Sequence, residues 1–244
     1  MMAIADHLVA GYDALRADID PLLFLVRNKQ LQIDGVARAE KFLLRVEHAR
    51  IEAIQRQNEH EANSFLGLGM VVRALSSELS VYLLIKEDKP EEAWIKLIDA
   101  QEMIRAAGRA HPGFSNLSNK LTYLRELETA LFPPQQFVSA GLIVHEQHCS
   151  ICEVEYDKCD HIQGLAYMGR FCRVIFKKVT ADHIAFVESP ADRRCRVTSI
   201  AAPGGKRNRM TWVLESIREG DESNMTGIIA MTSPFSDEEA KSSE

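Results

Sequence analysis

Thirteen positions of the chain, 149 to 161, hold Cys149, Cys152, Cys159 and His161. Thiolates and imidazoles are the ligands of soft and borderline cations, and the spacing here suits one ion. Two residues between Cys149 and Cys152 let the backbone turn back so that both sulfurs reach a metal at about 2.3 Å. Cys159 and His161, one residue apart, can present two more donors from a turning segment. Three sulfurs and one nitrogen favour Zn²⁺ over the oxygen-seeking Mg²⁺ and Ca²⁺. They also fill a tetrahedron, which marks a structural zinc; a catalytic zinc keeps a position open for water. His145, His148 and Cys172 are alternatives to His161 as the fourth ligand. His148 adjoins Cys149, and adjacent strand residues point to opposite sides. Cys195 stands apart and is expected as a core thiol. Redox chemistry at C-x-x-C is disfavoured because Cys149 does not open a helix after a strand.

The elements that position these residues come from two unlike stretches of sequence. The chain has 244 residues, 46% hydrophobic and 26% charged, with 29 Lys plus Arg against 35 Asp plus Glu and a net charge of −6. All five cysteines lie at or beyond position 149. Residues 1–132 have helical periodicity. Asp20-Pro21 reads as a helix start. A helix after Asp34, running to about 62, carries Val36, Ala39, Phe42, Leu43, Val46, Ala49, Ala53 and Ile54 on one face. The next, about 64 to 86, is apolar over most of its circumference and is expected at the centre of a bundle. Pro90-Glu91-Glu92 opens another helix, with Gly108 as its expected end. Residues 116–131 repeat the pattern with Leu117, Leu121, Leu124, Leu127 and Leu131. Phe132-Pro133-Pro134 breaks it. Beyond, residues 171–176, 183–187 and 195–200 are β-branched and aromatic at strand length. Ala202-Pro203-Gly204-Gly205 is a turn, and 212–217 a further strand or short helix. The expected fold class is α+β: an antiparallel helical bundle at 1–132, a Pro-rich linker at 133–140, a zinc-stabilised β-domain at 141–220 and an acidic flexible tail at 221–244.

The run Cys149-Ser150-Ile151-Cys152, Tyr156, Cys159, His161, Gly164, Tyr167, Gly169 and Cys172, followed by Ala185-Phe186-Val187-Glu188-Ser189-Pro190-Ala191, resembles a small cysteine-rich segment of phage prohead-protease-like and related capsid-maturation proteins. The resemblance covers about a fifth of the chain. It implies zinc ligation and a phage, mobile-element or phage-defence origin. It does not bring proteolysis with it: proteases of that type resemble a β-barrel carrying a histidine and a serine nucleophile, whereas the first half here is helical. His183 and Ser189, six residues apart, read more simply as a surface histidine and a turn serine.

Charge is segregated beyond the cysteines. Arg170, Arg173, Lys177, Lys178, Arg193, Arg194, Arg196, Lys206, Arg207 and Arg209 face only Asp182, Glu188 and Asp192, a local net of +7 between 165 and 210. Such a face could neutralise phosphates, with Trp212 or Tyr167 stacking on a base. Gly204-Gly205-Lys206 lacks the glycine spacing and following Ser or Thr of a phosphate loop. No apolar run reaches the roughly 18 residues of a membrane span, and no export signal opens the chain. The expected compartment is therefore the cytoplasm, with cysteines as thiols or ligands.

The function these residues favour is a non-enzymatic zinc-binding adaptor. Its expected partners are another protein or a second copy joined through the helical bundle, with no membrane. Nucleic-acid binding through the basic β-domain is the alternative, and a phage-maturation-type hydrolase stands behind both. Purified protein should carry about one zinc per chain by metal analysis, lost on Cys149→Ser or Cys159→Ser. A folded, metal-free preparation made without chelator would falsify the zinc assignment.

Overall fold

The computed structural model describes residues 2–25, 28–216 and 223–229. Five helices come first: α1 (Met2–Ile19), α2 (Lys29–Gln55), α3 (Glu59–Lys86), α4 (Pro90–Ala110) and α5 (Ser118–Leu131). Eight strands follow: β1 (Phe137–Cys149), β2 (Ala166–Tyr167), β3 (Arg170–Phe171), β4 (Val174–Val187), β5 (Val197–Ala202), β6 (Gly205–Asn208), β7 (Leu214–Glu215) and β8 (Met225–Gly227). The fold is α+β. The chain divides into two compact units, Met1–Ala130 with Val144–Val179, and Leu131–Ile143 with Thr180–Glu244. That division differs from the expected one. The Cys/His segment groups with the helices, and the expected linker at 133–140 runs into β1.

In the first unit α3 is the central helix, packed along α2 and α4. It is long and apolar enough to cross a membrane, but 67% of its most apolar stretch is buried inside the bundle. Val72, Leu79 and Val81 are wholly buried on it, and Val46 and Ala53 of α2 pack in the same core. The two turns flanking α3 share one construction. After α2, Gln57 is left-handed at φ 54°, its N–H donating to the Ile54 carbonyl and that of Asn58 to Ala53. After α3, Asp88 is left-handed at φ 57°, with the N–H groups of Asp88 and Lys89 donating to Ile85 and Leu84. Each is a Schellman closure that satisfies the last carbonyls of its helix. The closing residue also begins the next helix: Asn58 Oδ1 accepts from the Glu61 N–H at 3.2 Å, and Lys89 precedes Pro90 at the first turn. Connections this short force antiparallel neighbours.

Several helix boundaries differ from expectation. The helix expected to run to about 62 ends at Gln55, where the left-handed Gln57 closes it, and α3 begins at Glu59 and not near 64. Asp20-Pro21 does not start a helix. It continues α1 as a 3-10 turn, Asp20–Leu22, and the Asp20 carboxylate pairs with Arg16 at 3.0 Å. The cap of α2 is Asn28, whose Oδ1 accepts from the Gln30 N–H at 2.9 Å. Gly108 lies within α4, which ends only where Pro112 forces His111 into an extended conformation, φ −156° and ψ 138°.

α5 buries only Leu124 completely, and polar contacts supplement that apolar contact. Lys120 Nζ lies 2.5 Å from the carboxylate of Glu78, which has no exposed surface. The hydroxyls of Tyr82 and Tyr123 are 2.9 Å apart, and Gln101 Nε2 donates to Glu128 at 2.9 Å.

In the second unit β7-β6-β5-β8 form an antiparallel sheet. β5 and β6 are joined through Pro203-Gly204, with Gly204 at φ +85°, a position suited to glycine in a tight hairpin. Val138, Cys195 and Val197 form the small apolar centre. Cys195 is therefore a core thiol. β7 is the described part of the element expected at 212–217. Within the expected tail, Met225–Gly227 is a strand paired with β5; the acidic residues Asp237, Glu238 and Glu239 lie outside the described residues.

Burial pushes the Glu78 carboxyl up, against the opposing pull of Lys120. Its folded-state value lies above its unfolded one, so its contribution is present at low pH and fades as pH rises through the folded value. Lys120→Met removes the compensating charge. It should cost about 3 kcal/mol in urea denaturation at neutral pH, and the loss should shrink in acid as Glu78 takes a proton. A loss that does not vary with pH would contradict the pairing.

Candidate metal centre

The cluster is built by three successive returns of the chain. β1 delivers Cys149, and the following turn passes through Glu153 at φ 62°. The Cys149 N–H donates to the Val154 carbonyl and the Glu153 N–H to the Cys149 carbonyl, both at 2.9 Å, which brings Cys152 back toward Cys149. A 3-10 turn, Tyr156–Lys158, then delivers Cys159 and His161. Two phenols hold the loop beyond. Tyr156 Oη accepts from the Gln163 N–H and Tyr167 Oη from the Ile162 N–H, each at 2.9 Å. The Tyr167 ring stands edge-on to the His161 ring with centroids 4.5 Å apart. The Ser150 N–H donates to the Arg173 carbonyl at 2.9 Å, closing the segment at its base.

The donor atoms of Cys149, Cys152, Cys159 and His161 all lie within 4.8 Å of one another. Cys152 Sγ is 3.4 Å from Cys159 Sγ, and Cys159 Sγ is 3.2 Å from His161 Nδ1. Sulfurs sharing a tetrahedral zinc lie roughly 3.8 Å apart, so the four residues could hold one metal ion. Among the alternatives, His148 is engaged elsewhere, Nδ1 with the Glu153 carbonyl at 2.8 Å and Nε2 with Glu146 at 3.0 Å. His145 is exposed on β1 and is not in the set. Cys172 is buried with its sulfur 3.7 Å from Cys149, and its backbone pairs with Gly164 and Leu165.

The thiols are strongly unequal. Burial pushes Cys149 up, but the backbone N–H groups of Cys152 and Ile151 and the neighbouring Cys159 and Cys152 thiols stabilise its thiolate and bring it down to about 6. Burial, with the Cys152 and Cys149 sulfurs beside it, pushes Cys159 up to about 11. Burial and Cys149 push Cys172 up to about 12. One thiolate thus opposes the ionisation of the others, a repulsion that a divalent cation at their centre would reverse.

Helix residues far away in sequence grip the module. β2 and β3 form a hairpin whose two-residue turn, Met168-Gly169, is left-handed at both positions, φ 46° and 71°. A Cβ at Gly169 would lie 3.2 Å from Ala62 Cβ and Ile54 Cδ1, closer than ordinary contact, and the positive φ adds strain, so the tip between α2 and α3 favours glycine. Arg50 Nη1 donates to the Gly169 carbonyl at 2.6 Å, Asn63 Oδ1 accepts from the Gly169 N–H at 2.7 Å, and Glu59 Oε1 accepts from the Met168 N–H at 3.0 Å. Glu47 holds Arg50 in place through its Nε at 2.7 Å. None of these helix residues was marked by the sequence; an Arg at an apolar-stripe position next to Ala49 was the available signal.

The basic residues are divided between the two units, and not all of them are exposed. Arg170, Arg173, Lys177 and Lys178 belong to the first unit and the other six to the second. Arg194, Arg196 and Lys206 are buried, which corrects their assignment as phosphate contacts. Each turns inward onto polar partners: Arg194 Nε to Asp192 at 2.7 Å, Arg196 Nη1 to Gln135 at 3.1 Å, Lys206 Nζ to Ser223 at 2.8 Å and Thr226 at 3.1 Å. Burial draws Arg196 down to about 10. Arg193 lies over the Phe137 ring, Arg209 over Trp212, and Arg207 donates to the Trp212 carbonyl. His183 Nδ1 pairs with Asp182 at 2.9 Å, and Ser189 lies in the bend after β4.

No protein-family model, curated protein or solved structure matches the chain.

Gly169→Ala should loosen the docked hairpin by about 1–2 kcal/mol, since an L-residue there is left-handed and crowded. Hydrogen exchange should quicken at the amides of Met168 and Gly169 while the α3–α4 core keeps its protection. Unchanged exchange at those two amides would count against the grip.

Proposed function

We propose that the protein is a non-enzymatic zinc-binding adaptor in which the metal fixes a recognition module to a helical bundle. The observation that carries this is the closed donor set: three thiols and one imidazole from a single short segment, all within 4.8 Å. Four protein ligands leave a tetrahedral ion no position for water or substrate, which suits a structural metal. The soft donor set suits zinc. The module has a thin core of its own, and binding free energy of the order of 10 kcal/mol in small zinc modules would hold its loops in place. A protein partner is supported by the outward side of α2, where Leu44 is 73% and Ile51 47% exposed two helical turns apart. The resemblance of the Cys149–Cys172 run to phage capsid-maturation proteins supports a phage or mobile-element setting.

In-cell crosslinking followed by mass spectrometry tests this reading. Wild-type protein should capture a specific protein partner that the Cys152→Ser/Cys159→Ser double variant loses. Purified protein should turn over neither peptide nor ester nor nucleic-acid substrates. A partner set indifferent to the double substitution, or a hydrolytic turnover, would overturn the proposal.

A further inference from the structure

Two close sulfur–sulfur contacts run across the Cys/His segment, and neither joins Cys149 to its C-x-x-C mate Cys152. The inner couple is Cys149 and Cys172, 3.7 Å apart and each 1% exposed. The outer couple is Cys152 and Cys159, 3.4 Å apart. Cys152 is exposed and Cys159 partly so. A small oxidant arriving from solvent therefore meets the outer couple first.

The backbone also lets the outer couple close. Cys152 lies in the turn after β1, and Cys159 follows the 3-10 turn Tyr156–Lys158, so neither belongs to a strand. Glu153, Val154, Glu155, Asp157 and Lys158 between them are exposed. A sulfur–sulfur bond is about 2.05 Å long, and two side chains on such a loop reach it by a short approach. The inner couple is held more tightly. Cys149 ends β1, and the Cys172 N–H and carbonyl are both engaged at 2.8 Å, with the Leu165 carbonyl and the Gly164 N–H. The outer couple supplies two of the four donors of the candidate metal centre. Any bond between these two sulfurs is therefore made at the expense of metal binding.

We propose that Cys152 and Cys159 form a reversible disulfide when the protein meets hydrogen peroxide, and that this bond expels the metal ion. The inference rests on the zinc reading of the four donors. The Cys152 sulfur attacks one peroxide oxygen, and the O–O bond breaks to leave a sulfenic acid and one water. The Cys159 sulfur then attacks the Cys152 sulfur. The S–S bond forms, the S–O bond breaks, and the departing hydroxide takes a proton to become a second water. Two thiols lose two electrons and the peroxide gains them. Where the sulfurs start as metal-bound thiolates, solvent supplies the two protons and the divalent ion is released. Cys149 and His161 then remain, half of a tetrahedral set. A dithiol reductant reopens the bond by thiol–disulfide exchange, and the ion can return.

The full chain, purified under reductant, is assayed for metal first and should carry about one zinc per chain. With the reductant removed, about one equivalent of hydrogen peroxide per chain should release that zinc to a colorimetric chelator. The peptide map should show a Cys152–Cys159 link forming in step with the release. Dithiothreitol with added zinc should restore the loaded protein. Cys172→Ala keeps all four donors and should release zinc to the same extent; the wild-type map decides the matter whether or not that variant folds. A link through Cys149, oxidation of Cys152 beyond the sulfenic acid with no disulfide, a linked protein that keeps its zinc, release only in large peroxide excess, or a folded Cys172→Ala variant that holds its zinc would each overturn the inference. Any of these in zinc-loaded protein overturns this inference alone. A reduced protein without zinc overturns the zinc reading and the release together.

Discussion

The Arg50 guanidinium and the Gly169 carbonyl meet at 2.6 Å, and Arg50 is only 7% exposed. A charged donor in so dry a place must have its hydrogen bonds filled. Glu47 takes one and the hairpin tip takes another. This constraint ties the Cys/His segment to the helices. The tip approaches closely because position 169 has no side chain, and the approach fixes β2 and β3, whose strands carry Tyr167 to the face of His161. The donor cluster and the bundle core are thus linked through one small hairpin.

Two kinds of order hold the module. Short-range turns bring the sulfurs together: the left-handed Glu153, the 3-10 turn before Cys159 and the two phenols gripping the loop. Long-range hydrogen bonds from α2 and α3 then set where the module sits. The thiol chemistry follows from the first kind. One sulfur ionises easily and its neighbours resist, a mutual repulsion that a shared cation would relieve. This is the same low-dielectric logic that makes Glu78 depend on Lys120 inside the bundle.

Much of the architecture was legible in the sequence because it depends on neighbours in the chain. The apolar stripe through Ala39, Phe42, Val46 and Ala53 placed α2, and the near-continuous apolar surface after Phe65 placed α3 at the centre. The C-x-x-C and C-x-H spacings placed four donors within reach of one another. Helix ends were less legible. Gln57 and Asp88 take the left-handed positions that glycine would advertise, and Asp20 spends its carboxylate on Arg16 instead of a cap. The charge count between 165 and 210 could not tell an exposed lysine such as Lys178 from the buried Lys206, because strand facing depends on which sheet the strand joins.

The sequence by itself determined the helical periodicity, the change of character after Phe132 and the set of candidate metal donors, all properties of residues within a few positions of each other. Tertiary structure alone decided that the cysteine segment belongs with the helices and that Arg194, Arg196 and Lys206 are interior. It also decided that Arg50, Glu59 and Asn63 hold a hairpin more than a hundred residues away. The physical reason is range. Turn geometry and amphipathic spacing act through the local backbone, whereas burial and docking depend on which surfaces meet when the chain closes on itself.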